Sequence, residues 1–226
     1  MKPLDKLLSE INALLAEMTE ATTDMISLNI RALIERENET AETIINMDET
    51  VDQLDNRIEE LCLNALALYE PKAIDLRHII TVLRIITDLE RIGDHCVDIA
   101  KEIIKLNQIP PIKPYIDLPK MADYSSEMVK NAINSFFAKD HKKALNVIKS
   151  DDYIDNLNNQ ILRELLTYIV EDFRKTKGCI SLIFISRSFE RIADHATNIA
   201  EMVYFMSKGE NIRHKHIEEL NGNGDE

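Results

Sequence analysis

"DLERIGDHCVDIA" (residues 88–100) and "SFERIADHATNIA" (residues 188–200) are two versions of one segment, placed 100 residues apart in the same chain. Seven of the thirteen positions are identical, and they include two acids, an arginine and a histidine. An earlier pair, "DETVDQLDNRI" from Asp48 and "DDYIDNLNNQI" from Asp151, matches at an offset of 103 residues. Two matched pairs in the same order indicate a tandem duplication of a unit of roughly a hundred residues.

Turn-forming residues are scarce in this chain. Its 226 residues include only 5 Gly and 6 Pro, and neither occurs between Leu4 and Glu70. This scarcity favours a few long helices over many short strands. A break is nevertheless expected at residues 36–40, because the equivalent stretch of the second repeat contains Asp140, a good helix N-cap residue.

The repeat and the helix pattern together predict the fold class and the domain organisation. We expect an all-α protein of two tandem, pseudo-symmetric three-helix bundles, six long helices in all. Four prolines between positions 110 and 119 mark a linker between the bundles. The predicted segments are a first bundle at 1–108, a proline-rich linker at 109–118, a second bundle at 119–210 and a polar tail at 211–226.

The composition excludes several classes of function. The net charge of −13, from 40 acidic against 27 basic side chains, would repel the phosphates of DNA or RNA. The three cysteines lack metal-binding or disulfide spacing, and no signal peptide opens the chain. The strongest apolar run, "ISLIFIS" from Ile180, is far shorter than the ~20 residues that cross a bilayer. We therefore predict a cytoplasmic protein without a membrane span, leaving peripheral contact with a membrane complex open.

The duplicated segments place acids in columns along the predicted helices. On a helical wheel, Asp94 lies about 40° from Glu90, beside the apolar stripe and not opposite it. Asp48 and Asp52 form a similar column on the preceding helix. At an effective dielectric near 20, two carboxylates about 5 Å apart repel by roughly 3 kcal/mol. Such columns, facing each other across a groove between helices, call for a cation.

Two sources of positive charge are available. Arg57, Arg84 and Arg91 are near in sequence, whereas a divalent or trivalent metal would take several carboxylate oxygens at once. Because the pattern occurs four times, the sequence favours a metal. The candidate ligands are Asp48, Asp52, Glu90, Asp94, Asp151, Asp155, Glu190 and Asp194. His95 and His195 turn away from these acids on the wheel, and we assign them to an interhelical contact.

The second copy has fewer acids near this pattern than the first. Asp55 and Glu59 correspond to Asn158 and Leu162 at the offset of 103. Ligand number and charge set the affinity of an oxygen-ligand site. The second site is therefore expected to be poorer in ligands.

At these residues the chain resembles the PhoU family of accessory and regulatory proteins of bacterial phosphate transport. The resemblance rests on "LERIGDHCVDIAKEI" and "FERIADHATNIAEMV", on "PKAIDLRHI" from Pro71, and on "KGENIRHK" near the end. It covers nearly the whole chain. The second repeat departs from the pattern before Ile180, where Lys175 and Lys177 replace Asp75 and Arg77.

The resemblance implies a function that the residues alone do not reveal. Proteins of this family are non-enzymatic negative regulators that link the high-affinity phosphate transporter to a sensor kinase and so maintain phosphate homeostasis. The implied partners are the ATPase subunit of the phosphate ABC transporter, a phosphate-sensing histidine kinase and a second copy of the chain. The implied cofactor is a multinuclear metal cluster on the eight acids, iron in some members, with manganese, zinc or magnesium as alternatives.

Two other functions fit part of the pattern. A carboxylate-metal enzyme would use the same acids, but the chain lacks a nucleophile–base pair, a glycine-rich phosphate loop and the Glu-x-x-His spacing of di-iron bundles. An acidic adaptor without metal would instead present the acids to basic partners. Metal analysis separates this adaptor from the metal-binding regulator.

Overall fold

Six long α-helices form the fold in the computed structural model, which describes residues 3–210 and 212. They confirm the predicted all-α class, and no strand occurs within the described residues. A short 3-10 turn, Phe173–Lys175, precedes the last helix. The helices are α1 (Pro3–Glu35), α2 (Asn38–Tyr69), α3 (Ile74–Leu106), α4 (Asp117–Ala138), α5 (His141–Glu171) and α6 (Thr176–Lys208). The predicted polar tail, 211–226, lies outside the described residues except for Ile212.

The break expected at residues 36–40 lies between α1, which ends at Glu35, and α2, which begins at Asn38. Arg36 and Lys139 follow α1 and α4 with φ of 57° and 53°, a left-handed conformation that stops a helix. The Asp140 carboxylate accepts hydrogen bonds from the backbone N–H groups of Lys142 and Lys143, at 2.9 and 3.2 Å, and so caps α5. Because Pro119 falls in the first turn of α4, its missing N–H costs no helical hydrogen bond.

Each unit packs its three helices around an apolar core, and one buried polar side chain crosses that core. In the first unit, Asn29 of α1 donates from Nδ2 to the carbonyl oxygen of Cys96 on α3, at 3.0 Å. In the second unit, Ser125 of α4 donates from Oγ to the carbonyl oxygen of Phe189 on α6, at 3.1 Å. These bonds fix the first helix of each unit against the third, because a buried polar group without a partner is costly.

The two units join where α3 packs against α6, a contact that we call the seam. His195 Nδ1 lies 2.8 Å from Asp88 Oδ1, and Asn198 donates to the same oxygen at 3.3 Å. The rings of His95 and His195 are 5.6 Å apart. The structure thus places both histidines at an interhelical contact, as the wheel predicts.

No helix within the described residues combines the length and the apolar character needed to cross a membrane. The most apolar stretch of α6 belongs to a helix that is partly covered by α3, α4 and α5.

Candidate metal centre

The first groove lies between α2 and α3 and contains Asp48, Asp52, Glu90 and Asp94. The helices approach closely at Gly93: a Cβ there would lie 3.1 Å from Asp48 Oδ1 and 3.4 Å from Val51 Cγ1. Absence of a side chain therefore lets the Asp48 carboxylate lie against the backbone of α3. Asp48 and Asp52 are four residues apart on α2, and Glu90 and Asp94 are four residues apart on α3. Each pair therefore lies on one face of its helix, about one turn apart.

Burial and mutual repulsion disturb the protonation of these acids. Burial raises the pKa of Asp48, and the negative charges of Asp52 and Asp94 raise it further. Burial also raises the pKa of Glu90, to which Asp94, Asp52 and Asp55 add, while Arg91 acts in the opposite direction. Since acids on α2 affect Glu90 and an acid on α3 affects Asp48, the two columns face each other across one groove.

The second groove lies between α5 and α6 and contains Asp151, Asp155, Glu190 and Asp194. Burial, followed by repulsion from Asp194, Asp155 and Asp152, raises the pKa of Asp151 from 3.8 to about 7. Burial and the same kind of repulsion raise the pKa values of Asp155 and Glu190. The structure therefore brings the eight predicted acids together as two groups of four.

One oxygen of the second groove is buried without a hydrogen-bond donor. Neither Asp151 Oδ1 nor Thr197 Oγ1 has a hydrogen-bond partner among the described residues. The Thr197 hydroxyl is near enough to favour the charged form of Asp151, but the geometry between them is not that of a hydrogen bond. A buried carboxylate oxygen in this state is the kind of group that a cation would satisfy.

Arginines already engage part of this charge. In the first groove, Arg91 donates to Asp94 Oδ2 at 2.9 Å, and its Nε lies 3.4 Å from Glu90 Oε2. In the second groove, Arg191 donates to Asp194 Oδ2 at 3.2 Å, while Arg187 pairs with Glu190.

Of the three arginines named from sequence, only Arg91 pairs with these acids. Arg57 pairs with Glu60 and Glu10, at 2.9 and 3.4 Å. Arg84 contacts the sulfur of Met202 across the seam. Arg91 lies three residues before Asp94, and Arg57 lies three residues before Glu60, so the i, i+3 spacing along each helix accounts for both pairs.

The donor set fits a hard cation. All eight candidate ligands offer carboxylate oxygens, the preferred donors for magnesium, calcium and manganese and acceptable donors for iron. As the side chains stand, no group of three or more His, Cys, Asp or Glu in residues 3–210 and 212 is placed to hold a metal ion. The carboxylates of the first groove would have to exchange Arg91 for the cation, so their role as ligands stays a prediction.

Sequence reasoning missed two groups near the grooves. Asp88 accepts the seam contact with His195, although its repeat equivalent is Ser188. Thr197 stands where the first repeat has Val97, one turn after Asp194. A hydroxyl replacing an apolar residue on a buried helix face is the signal that could have drawn attention to Thr197.

Comparison with known proteins places this architecture in a family. A family model described as "PhoU domain" matches residues 15–103 and 118–203. A relative from Aquifex aeolicus, named "Phosphate-specific transport system accessory protein PhoU homolog", is 41% identical over 96% of this chain and 98% of its own length. A relative of the same name from Zymomonas mobilis is 40% identical over 92% of this chain and 88% of its own.

Solved structures agree with these sequence matches. The crystal structure of PhoU from Pseudomonas aeruginosa superposes with a TM-score of 0.87 and 32% identity, over 91% of this chain and 99% of the other. The phosphate transport system regulatory protein PhoU from Streptococcus pneumoniae gives a TM-score of 0.84 and 28% identity, over 92% and 98% of the two chains. Both halves of the duplicated chain are therefore accounted for by one known architecture.

Proposed function

Because this chain belongs to the PhoU family, we propose that it is an accessory protein of a phosphate transport system that regulates phosphate uptake and catalyses no reaction itself. The observation that carries the proposal is the match of both repeats to the PhoU domain, together with 41% identity to a curated relative along nearly the whole of both chains. Sequence identity that extends along the full length of both chains supports a shared role more strongly than a shared fold does.

We propose two partners in the cytoplasm, the ATPase subunit of the phosphate transporter and a phosphate-sensing histidine kinase. Through them the protein would report the state of the transporter and repress the response to phosphate starvation. Long helical faces suit this role, since amphipathic helices dock on such surfaces. We also propose a homodimer, which sedimentation of the purified protein at several concentrations tests directly.

The metal belongs to the same proposal. The acids of the first and second grooves would hold it, and the positive charge that it supplies would offset their mutual repulsion. Two features support this assignment: the raised pKa values of Asp48, Glu90 and Asp151, and the buried oxygen of Asp151 that lacks a donor. Held between two helices, a cation would fasten α2 to α3 and α5 to α6.

Deletion and complementation test the regulatory function. In a strain lacking the gene, we expect a phosphate-starvation reporter to stay active in high phosphate, and the wild-type gene to restore repression. Full-length protein should also co-purify with the transporter ATPase and with the cytoplasmic part of the kinase. Normal repression in the deletion strain, or failure to bind either partner, would refute the proposal.

Metal analysis after mild purification tests the metal assignment separately. We expect bound metal in the wild-type protein and its loss when Asp94 and Asp194 are both changed to Asn, with helicity retained. A wild-type protein that is free of metal and still regulates would establish the acidic adaptor without metal. Loss of helicity in the double variant would mean that these acids are needed for folding.

A further inference from the structure

A cavity of about 230 Å³ lies where the two units meet, at the end of the molecule opposite to the turn between α1 and α2. We call it the junction cavity. The start of α3, the turn between α4 and α5 and the end of α6 contribute its lining, which is Ile74, Arg77, His78, Lys139, Met206 and Ser207. A second cavity of about 140 Å³ adjoins it, shares Ile74, His78 and Lys139, and is also lined by Asp75.

Two cations, Arg77 and Lys139, line the junction cavity. The half-buried Arg77 and the exposed Lys139 make no ion pair or side-chain hydrogen bond within residues 3–210 and 212. The Arg77 guanidinium lies over the end of α6, with Nη1 3.6 Å from where a Cβ of Gly209 would be.

The surrounding contacts hold these cations at the cavity. Ser207 of α6 donates from Oγ to the carbonyl oxygen of Lys139 at 3.3 Å, which ties the turn between α4 and α5 to the end of α6. His78 is buried and lies 3.1 Å from Asn12 Oδ1. Burial lowers the pKa of His78, the nearby Lys139 charge lowers it further, and Asp75 acts in the opposite direction. A neutral histidine therefore leaves Arg77 and Lys139 as the cations of the cavity.

The duplication provides a second copy of this junction for comparison, and that copy is closed. Arg36 is the repeat equivalent of Lys139, and its Nη2 donates to the carbonyl oxygens of Leu106 and Ile109, at 3.0 and 2.6 Å. Gly178 is the equivalent of His78, and a Cβ there would lie 2.7 Å from Ile109 Cδ1 and closer still to Ile112. The linker thus fills one junction with apolar side chains and satisfies its arginine.

We propose that the junction cavity is a binding site for inorganic phosphate, held by Arg77 and Lys139. The cavity is several times the ~30 Å³ that a water molecule occupies in the liquid, so it has room for a small oxyanion and its remaining waters. A guanidinium binds phosphate oxygens through parallel N–H donors, and an ammonium adds a point charge. Asp75, in the adjoining cavity, is an acceptor for the hydroxyl of hydrogen phosphate, which sulfate lacks.

This inference rests on the proposed function and adds that the protein binds inorganic phosphate directly. A phosphate between Arg77 of the first unit and Lys139 of the second would connect the two units at a point other than the seam. The regulator would then respond to free phosphate itself as well as to the state of the transporter.

Calorimetry with sodium phosphate tests the site. The full-length protein is first treated with EDTA, so that metal in the grooves cannot bind phosphate, and is kept in buffer free of phosphate and sulfate. We expect one saturable site per chain, weakened at least about tenfold by Arg77→Ala and by Lys139→Ala. Lys130→Ala removes the same charge from the exposed face of α4, about 13 Å along the helix, and should leave binding unchanged.

Each contrary outcome is specific to this site. No phosphate binding at millimolar concentrations, or equal binding by the wild type and both cavity variants, would overturn the assignment. Sulfate that binds as tightly as phosphate would overturn the selectivity given to Asp75 and with it the phosphate assignment. Binding to the transporter ATPase is measured separately, so a regulator that binds its partner but not phosphate disproves only this inference.

Discussion

The first and second grooves descend from the same segment, but different charges surround their four acids: Lys101 acts on Asp48 in the first groove, and Asp152 acts on Asp151 in the second. In the first groove, Asp55 adds its charge to that of Glu90, and one arginine, Arg91, serves both Glu90 and Asp94. In the second groove the place of Asp55 is taken by Asn158, and a second arginine, Arg187, appears where the first repeat has Thr87.

The difference shows what duplication has kept and what it has changed. Four acids at i, i+4 spacing occur in both grooves, while the charges around them differ in sign and number. Ligand number and charge set the affinity of an oxygen-ligand site, and the first groove has Asp55 where the second has Asn158. We therefore expect the grooves to be unequal, with the first as the stronger cation site. The four predictions below test that inequality, beginning with the largest expected effect.

The largest effect is expected when both acids that one helix contributes to a groove are neutralised, either on α3 or on α6. Glu90→Gln with Asp94→Asn should weaken the first groove for metal by about a hundredfold, two ligands at roughly tenfold each. Glu190→Gln with Asp194→Asn makes the same charge change in the second groove. Elemental analysis after equilibrium dialysis should find the greater loss of metal in the first variant. Equal losses would mean that the grooves are equivalent, and circular dichroism controls for folding.

The second prediction concerns pH and the buried acid of the second groove. The pKa of Asp151 rises from 3.8 to about 7 on folding, so the folded chain binds this proton more tightly than the unfolded chain does. The free energy of unfolding therefore falls as pH rises from about 4 to about 7. A rise of the pKa from 3.8 to about 7 corresponds to about 4 kcal/mol of unfolding free energy, which solvent screening of this partly exposed carboxyl reduces to about 2 kcal/mol.

Asp151→Asn removes that cost. Urea unfolding in EDTA should show the variant to be about 2 kcal/mol more stable than the wild type at pH 8, and no more stable at pH 4. Asp48→Asn, the equivalent change in the first groove, should give a smaller gain, because Asp48 is less buried. A gain for Asp151→Asn that is the same at both pH values would contradict the assignment.

The third prediction makes the first groove resemble the second by one substitution. Asp55→Asn introduces the residue that the second repeat has at this position, and it should lower metal affinity by about threefold, since one nearby charge is lost. A competition assay with a fluorescent chelator resolves a change of this size. Glu42→Gln, on the exposed face of α2, is the matched control and should have no effect.

The smallest expected effect is at Gly93, whose repeat equivalent is Ala193. A Cβ at residue 93 would meet the end of the Asp48 side chain, which can rotate away at little cost. Alanine favours a helix over glycine by about 1 kcal/mol, so Gly93→Ala should stabilise the metal-free protein by about 0.5 kcal/mol. The displaced carboxylate should also bind metal slightly less well. If Gly93→Ala instead lowers the stability measured in urea, the Asp48 side chain cannot rotate away from the added Cβ.

Much of the fold could be predicted because its signals are local or periodic. The repeat fixed the number of units, the lack of Gly and Pro predicted long helices, and Asp140 located a turn in both units. The wheel angles of Glu90 and Asp94 placed them beside the apolar stripe, and the structure puts them in a groove. These features depend only on the spacing of residues along one helix.

Other features of the site could not be predicted, because they depend on the distance between helices and on side-chain conformation. The i, i+3 spacing indicates the pair of Arg91 and Asp94, but spacing gives no measure of how deeply Asp151 is buried. The junction cavity is a further case. In its repeat equivalent the linker side chains Ile109 and Ile112 fill the space beside Gly178, and the residue pattern does not reveal this.

The seam histidines follow directly after groove acids, since Asp94 precedes His95 and Asp194 precedes His195. A cation that draws α3 toward α2 therefore moves one of the two rings that meet 5.6 Å apart between the units. We expect the grooves to be thermodynamically coupled through that contact. Coupling of binding sites is reciprocal, so whatever factor the first ion imposes on the second, the second imposes equally on the first.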